Sequence, residues 1–188
     1  MPKHLATPAA SSPCISLVGM AGAGKSTLGP LLARRLGWAF VDTDRLMEAY
    51  WGQPLQAIYD SVGHAKFLEM ESYQIRTLGL SRTVVATGGS VVYDPKAVDR
   101  LRLLGRVVFL RVGLDTFLQR VGDAKGRALA RPEGKSMEDV FNERQPLYEA
   151  AADITVDTDR QPPEDCLRRV LGSLDPSLTG LPPVSEVP

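Results

Sequence analysis

Short apolar runs alternate along the chain with longer stretches in which apolar positions recur at helical spacing. Residues 15–18, 39–41, 84–86, 107–110 and 154–156 are apolar and too short for surface helices, so they read as strands buried on both faces. The spacing predicts helices over 28–36, 45–51, 66–78, 97–104, 116–121, 137–151 and 164–174. Strands alternating with helices predict an α/β fold in three layers, a parallel sheet with helices on both faces. Gly29-Pro30 falls inside the first predicted helix, where proline lacks a backbone donor, and predicts a kink or an irregular early turn.

The ends differ from the middle. Residues 1–12 (MPKHLATPAASS) are small and polar and read as a loose arm. From Asp175 the chain (DPSLTGLPPVSEVP) is proline-rich without periodicity and reads as a disordered tail, which leaves 13–174 for one folded domain. At 188 residues there is room for one such domain and not for two. The 22 basic and 22 acidic residues cancel, so no global field recruits nucleic acid or an anionic membrane. No secretory core precedes the first strand, and no apolar run approaches the ~20 residues that span a bilayer, so a cytoplasmic protein is expected. Cys14 and Cys166 match no metal spacing and are expected as free buried thiols.

The strongest chemical signal is Gly19-Met-Ala-Gly22-Ala23-Gly24-Lys25-Ser26-Thr27, which fits G-x-x-x-x-G-K-[ST] between a predicted strand and a predicted helix. Its glycines let backbone N–H groups turn around a β-phosphate, and the helix N-terminus adds positive charge there. Lys25 can bridge β- and γ-phosphates, and the Ser26 hydroxyl can ligate Mg²⁺. The absence of a guanine-reading N-K-x-D argues against a GTPase, and the length against a motor. A compact kinase for a small metabolite remains, using ATP and Mg²⁺.

The second strand runs into Asp42-Thr43-Asp44, whose carboxylates can both face the crevice at the C-terminal edge of the sheet. One would hold Mg²⁺ or its waters, and the other could orient or deprotonate an acceptor hydroxyl. Asp44 could equally be the N-cap of the helix that follows. Residues 122–135 (GDAKGRALARPEGK) are glycine-rich and basic and read as a mobile lid that could close over phosphates.

The P-loop with F-x-D-x-D, followed by V-V-A-T-G-G at 84–89, E-R-x-P-L-Y at 143–148 and V-D-T at 156–158, resembles the shikimate kinase family from about residue 15 to 174. The resemblance implies a P-loop kinase with a five-stranded parallel sheet of the nucleoside-monophosphate-kinase type, MgATP as donor and a mobile lid. It implies that Gly22, Ala23, Gly24, Lys25, Ser26 and Thr27 hold the nucleotide, with Ser26 and Asp42 at the metal and Asp44 on the substrate hydroxyls. Thr87, Gly88 and Gly89 match the turn whose N–H groups reach γ-phosphate and substrate. Arg127 matches a lid arginine on the transferring phosphate, Arg144 an arginine on the substrate carboxylate, Arg120 one lying against adenine, and Arg160 falls in the adenine loop. Lys25, Asp44 and Arg127 are thereby the candidate catalytic residues.

Three departures touch the acceptor side. Where the family carries G-E-x-x-F-R-x-x-E, this chain has Gly63-His64-Ala65-Lys66-Phe67-Leu68-Glu69-Met70-Glu71, so the carboxylate-gripping arginine is Leu68. The family's third glycine is Ser90, and the lid's R-P-L-L is Arg127-Ala-Leu-Ala. A guanidinium clamps a carboxylate in a bidentate way and leucine does not. Lys66 points elsewhere on the helix and is a poor replacement. One reading is a divergent shikimate kinase in which Arg144 holds the carboxylate alone. The reading preferred on these residues is a hydroxylated amino acid such as homoserine, whose ammonium would meet Asp44 or Glu71. A third is a nucleotide-binding module without catalysis, against which the retained Lys25, Asp44, Arg127 and Arg144 speak. Glu71 is expected to find a new partner, Arg144 or substrate. His64 is expected at a surface helix start, Trp38 and Trp51 against helices, Met47 and Met70 as fillers, and the protein as a monomer.

Overall fold

The computed structural model describes residues 13–122, 131, 132 and 134–176, and within them five strands form one parallel sheet. β1 (Cys14–Val18), β2 (Ala39–Asp42), β3 (Thr83–Ala86), β4 (Gly105–Arg111) and β5 (Ile154–Asp157) lie in the order β2-β3-β1-β4-β5. Every neighbouring pair runs parallel, with Ile15 opposite Val84 on one side of β1 and Arg106 on the other. All five predicted strands are present, each slightly longer than its apolar run. Parallel sheets are covered on both faces, and β1 is buried throughout. The expectations for residues 1–12, for the lid including Arg127 and for the tail beyond 176 lie outside the described residues.

The helices are α1 (Lys25–Leu36), α2 (Thr43–Trp51), α3 (Leu55–Val62), α4 (His64–Arg76), α5 (Pro95–Leu104), α6 (Leu114–Gly122), α7 (Met137–Ala151) and α8 (Pro163–Ser173). α3 went unread in the sequence, because eight residues between Gly52 and Gly63 give barely two turns of periodicity. It carries Leu55, Ile58 and Val62 onto a small apolar cluster with Met47 and Phe67, separate from the sheet core. α2, α3 and α4 thus form an arm with its own hydrophobic contacts.

Gly29-Pro30 does not break α1, which continues through Pro30 to Leu36. The proline N would have bonded to the Ser26 carbonyl one turn back, so a single bond of the helix is lost. The glycine beside it has a packing reason, since a β-carbon there would overlap the Phe40 ring.

Cys14 and Cys166 are free and buried. Trp38 packs on the main apolar core, whereas Trp51 is half exposed and meets Tyr50 edge-on at 5.5 Å. Among the described residues no helix is long and apolar enough to cross a membrane.

Candidate active site

The C-terminal ends of β1, β2 and β3 open into one crevice, which is where ligands bind in sheets of this kind. A cavity of about 870 Å³ runs there from the loop after β1, past Asp42 and Asp44, to Arg120 and Thr158.

The loop after β1 is held by its carbonyls. Lys25 Nζ donates to the Gly19 and Met20 carbonyls at 2.7 and 2.9 Å. An Arg120 guanidinium nitrogen donates to Gly22 O at 2.7 Å, and Thr158 Oγ1 to Ala23 O at 3.1 Å. These bonds hold the Gly19, Met20, Gly22 and Ala23 carbonyls on groups of the protein itself. Gly24, at φ +98°, caps α1 without a side-chain bond, so first-turn N–H groups without a helix partner lie at the cavity wall. Gly19 is required twice over, by a φ of +141° and by the Leu110 carbonyl, 2.6 Å from where a β-carbon would sit.

Asp42 divides its two oxygens. Oδ1 accepts from the N–H groups of Asp44 and Arg45 and caps α2, while Oδ2 accepts from Ser26 Oγ at 2.6 Å. Asp42, and not Asp44, is therefore the N-cap. The carbonyl-backed loop, the helix terminus and the Ser26–Asp42 pair fit a nucleoside triphosphate with its Mg²⁺.

Asp44 is left facing inward from the first turn of α2. Burial pushes its carboxyl up to about 6, against the pull of Lys25, with Asp42 and Glu48 adding to the rise and Arg45 opposing it. Glu71 on α4 is buried more deeply still and is pushed up to about 7, by desolvation and then by the charge of Asp44; Ser90, Arg144 and Lys25 act in the opposite direction. The two carboxylates meet at Gly88. A β-carbon there would overlap Glu71 Oε1 and lie 2.8 Å from Asp44 Oδ1.

The turn after β3 differs from its expected use. Thr87 N–H donates to Leu17 O at 3.2 Å and Gly88 N–H to Thr43 Oγ1 at 3.0 Å, so these two donors serve the protein itself. What Gly88 contributes is space for two carboxylates. Ser90 Oγ donates to Glu71 Oε2, and the charge of Arg144 acts on the same carboxylate.

Arg144 is 1% exposed and crosses beneath the same turn. Its Nε donates to Tyr93 Oη at 3.1 Å, its guanidinium lies 5.0 Å from that ring's centre, and it also bonds Tyr148. Tyr148 donates to the Gly89 carbonyl and stacks on Phe109 at 5.1 Å, locking the cation to the sheet. An Arg144 guanidinium nitrogen is 3.2 Å from where a Gly89 β-carbon would project.

Other expected residues lie elsewhere. Leu68 is half-buried against the Met47–Ile58–Phe67 cluster and does not line the cavity. Arg160 is exposed at φ +52° and also lies off the cavity wall. His64 does start α4, with Nδ1 3.3 Å from Tyr59 Oη; that hydroxyl donates to the Arg131 carbonyl at 2.8 Å. Reading the sequence missed Arg45, Glu48 and Leu55 at one end of the cavity and Gln161, Pro163 and Cys166 at the other. None of these carries a motif; only tertiary packing brings them to the wall.

Sheet order, loop and paired aspartates define a P-loop kinase with the nucleoside-monophosphate-kinase architecture. A family model described as shikimate kinase matches residues 21–175. The chain belongs to the shikimate kinase family. A shikimate kinase of Chromobacterium violaceum is 42% identical over 149 residues, covering 77% of this chain and 80% of that one. One from Chromohalobacter salexigens is 39% identical over 163 residues, with 85% and 90% covered. The solved shikimate kinase of Acinetobacter baumannii in complex with shikimate superposes with a TM-score of 0.78 at 32% identity, covering 85% of this chain and 90% of that one. That of Aquifex aeolicus gives 0.75 at 31%, covering 89% and 99%. The protein is a phosphotransferase with a hydroxyl acceptor, and its cofactors are ATP and Mg²⁺. This supersedes the reading as a non-catalytic module. Nothing in these likenesses supports homoserine as the acceptor.

Proposed function

We propose that the protein transfers the γ-phosphate of MgATP to a hydroxyl of shikimate, as a monomer in the cytoplasm. One observation carries this reading. Asp44, on the cavity wall, and Arg144, buried behind Gly89, approach the Gly88-Gly89 turn from two elements, one a carboxylate for a hydroxyl and the other a positive charge that favours a carboxylate nearby. That pairing suits a hydroxy acid bound beside the Ser26–Asp42 pair. The named relatives and the shikimate-bound neighbour support the same acceptor.

In this reading Lys25 leaves the Gly19 and Met20 carbonyls to meet the β- and γ-phosphates, and Arg127 joins it on the transferring group. Ser26 and Asp42 would hold Mg²⁺, which when bound would supply positive charge against the phosphates. Asp44 accepts the proton of the attacking hydroxyl or orients it; its raised proton affinity suits it to receive one. Gly22, Ala23, Gly24 and Thr27 enclose the phosphates, Arg120 serves the adenine side, and Gly89 with Ser90 shapes the acceptor side. Positioning and charge supply most of the acceleration in such transfers.

Leu68 favours a second reading. It brings no cation to the acceptor side, where the Asp44 and Glu71 carboxylates lie close together, and a hydroxylated amino acid would bring its own ammonium. Coupled ADP release with shikimate and homoserine, side by side on purified protein, decides between the two. Higher kcat/KM on shikimate supports the proposal, and higher kcat/KM on homoserine replaces it.

A further inference from the structure

Glu71 and Ser90 belong to different elements, α4 and the turn after β3, and neither lines the nucleotide cavity. Both are almost wholly buried, at 6% and 5% exposure. A buried carboxylate needs hydrogen-bond donors, and an oxygen without one is free to rotate or to take up a proton. Here the Ser90 hydroxyl binds Oε2. The opposite oxygen, Oε1, is thereby turned against the Gly88 α-carbon, beside Asp44 Oδ1. Alanine at 90 would leave Oε2 without this donor, and the χ angles of Glu71 would no longer be fixed.

The same bond anchors the turn. Residues 88–90 touch both halves of the acceptor side: Gly88 meets the two carboxylates, while Gly89 meets Arg144 and Tyr148. Thr43 holds Gly88 by its N–H and Tyr148 holds Gly89 by its carbonyl. Ser90 adds the third tie and joins the turn to α4, as Thr43 joins it to α2.

We infer that Ser90 is a positioning residue for the acceptor: its hydroxyl fixes Glu71 so that the Glu71 and Asp44 carboxylates form one edge against the Gly88 turn. Ser90 acts through Glu71 and does not itself need to touch the acceptor. The inference rests on the kinase reading above but holds for whichever hydroxy acid the wild-type protein phosphorylates.

A double-mutant cycle on the full chain tests it, using Ser90→Ala, Ser90→Thr, Glu71→Gln and Ser90→Ala with Glu71→Gln. ADP release is followed against ATP and against the better acceptor of shikimate and homoserine. Ser90→Ala is expected to raise KM for the acceptor roughly tenfold or more while KM for ATP stays within about twofold. Ser90→Thr keeps the hydroxyl and is expected to restore the acceptor KM. In the Glu71→Gln background, Ser90→Ala is expected to add less than about twofold, because the charge it served is gone. Equal effects of Ser90→Ala in both backgrounds, or an unchanged acceptor KM, overturn the inference. Should Ser90→Ala not fold, Ser90→Thr with an acceptor KM raised as much as in Glu71→Gln overturns it as well. A wild-type protein inactive on both acceptors overturns the parent reading instead, before any variant is compared.

Discussion

Ser26 Oγ donates a 2.6 Å hydrogen bond to Asp42 Oδ2, joining the first turn of α1 to the cap of α2. The pair brings a hydroxyl and a carboxylate together at the one place where the phosphate loop meets the second strand. In the proposed mechanism Ser26 and Asp42 would hold Mg²⁺. Ser26→Ala is then expected to raise the Mg²⁺ concentration needed for half-maximal activity roughly 10- to 100-fold. A magnesium titration at saturating ATP measures this, and an unchanged midpoint contradicts the assignment.

Lys25 donates to two loop carbonyls, Gly19 and Met20, so in this state its charge is held at the loop it would serve. Lys25→Met is expected to lower kcat roughly 10²- to 10³-fold. Circular dichroism should show an intact fold, since the helix and its glycine cap do not depend on the amine. Near-normal turnover would remove Lys25 from the mechanism.

Arg144 is buried among Tyr93, Tyr148 and the Gly89 turn. Arg144→Met, apolar and of comparable length, is expected to weaken acceptor binding by about 2–5 kcal/mol with little change in KM for ATP. If both KM values rise together, the arginine supports the fold and not the acceptor.

Glu71 makes stability depend on pH. Its folded pKa of about 7 lies above its ordinary 4.5, so the folded state binds the proton more tightly than the unfolded one. The stabilisation is complete below the unfolded value and is lost as pH rises through about 7. Glu71→Gln removes that loss, so Tm of the variant relative to wild type should climb between pH 5 and 8 in the absence of ligands. A difference that stays flat over that range shows that Glu71 is not held in this environment.

Much of this was legible in the sequence, for identifiable reasons. Strands buried on both faces leave unbroken apolar runs, and a phosphate loop needs glycines at fixed intervals, so β1 to β5 and residues 19–27 stood out. Asp42 and Asp44 were found together, but their local roles were not separable, because either can cap a helix and only the backbone geometry gives the cap to Asp42. α3 was too short to show a period. The partner of Glu71 was missed because Ser90 reaches it across nineteen positions, and no local pattern encodes such a contact. The donors of Thr87 and Gly88, read as free for ligand, are taken by Leu17 and Thr43 for the same reason.

Leu68 is the departure with the clearest consequence. It is packed with Met47, Ile58 and Phe67, so Leu68→Arg should cost about 1–2 kcal/mol of stability by exposing that cluster. If the new guanidinium reaches the acceptor carboxylate, kcat/KM on shikimate should rise roughly tenfold or more. No gain at all shows that position 68 does not set the acceptor in this chain.

The site is proposed to phosphorylate the hydroxyl of a small acid, shikimate, at the expense of MgATP. The most direct measurement is ADP release by the purified chain with shikimate and with homoserine, together with mass detection of the phosphorylated product. Saturable, magnesium-dependent formation of a shikimate phosphate is expected, with kcat/KM at least severalfold above that on homoserine. No ATP consumption with shikimate, or a clear preference for homoserine, would contradict it.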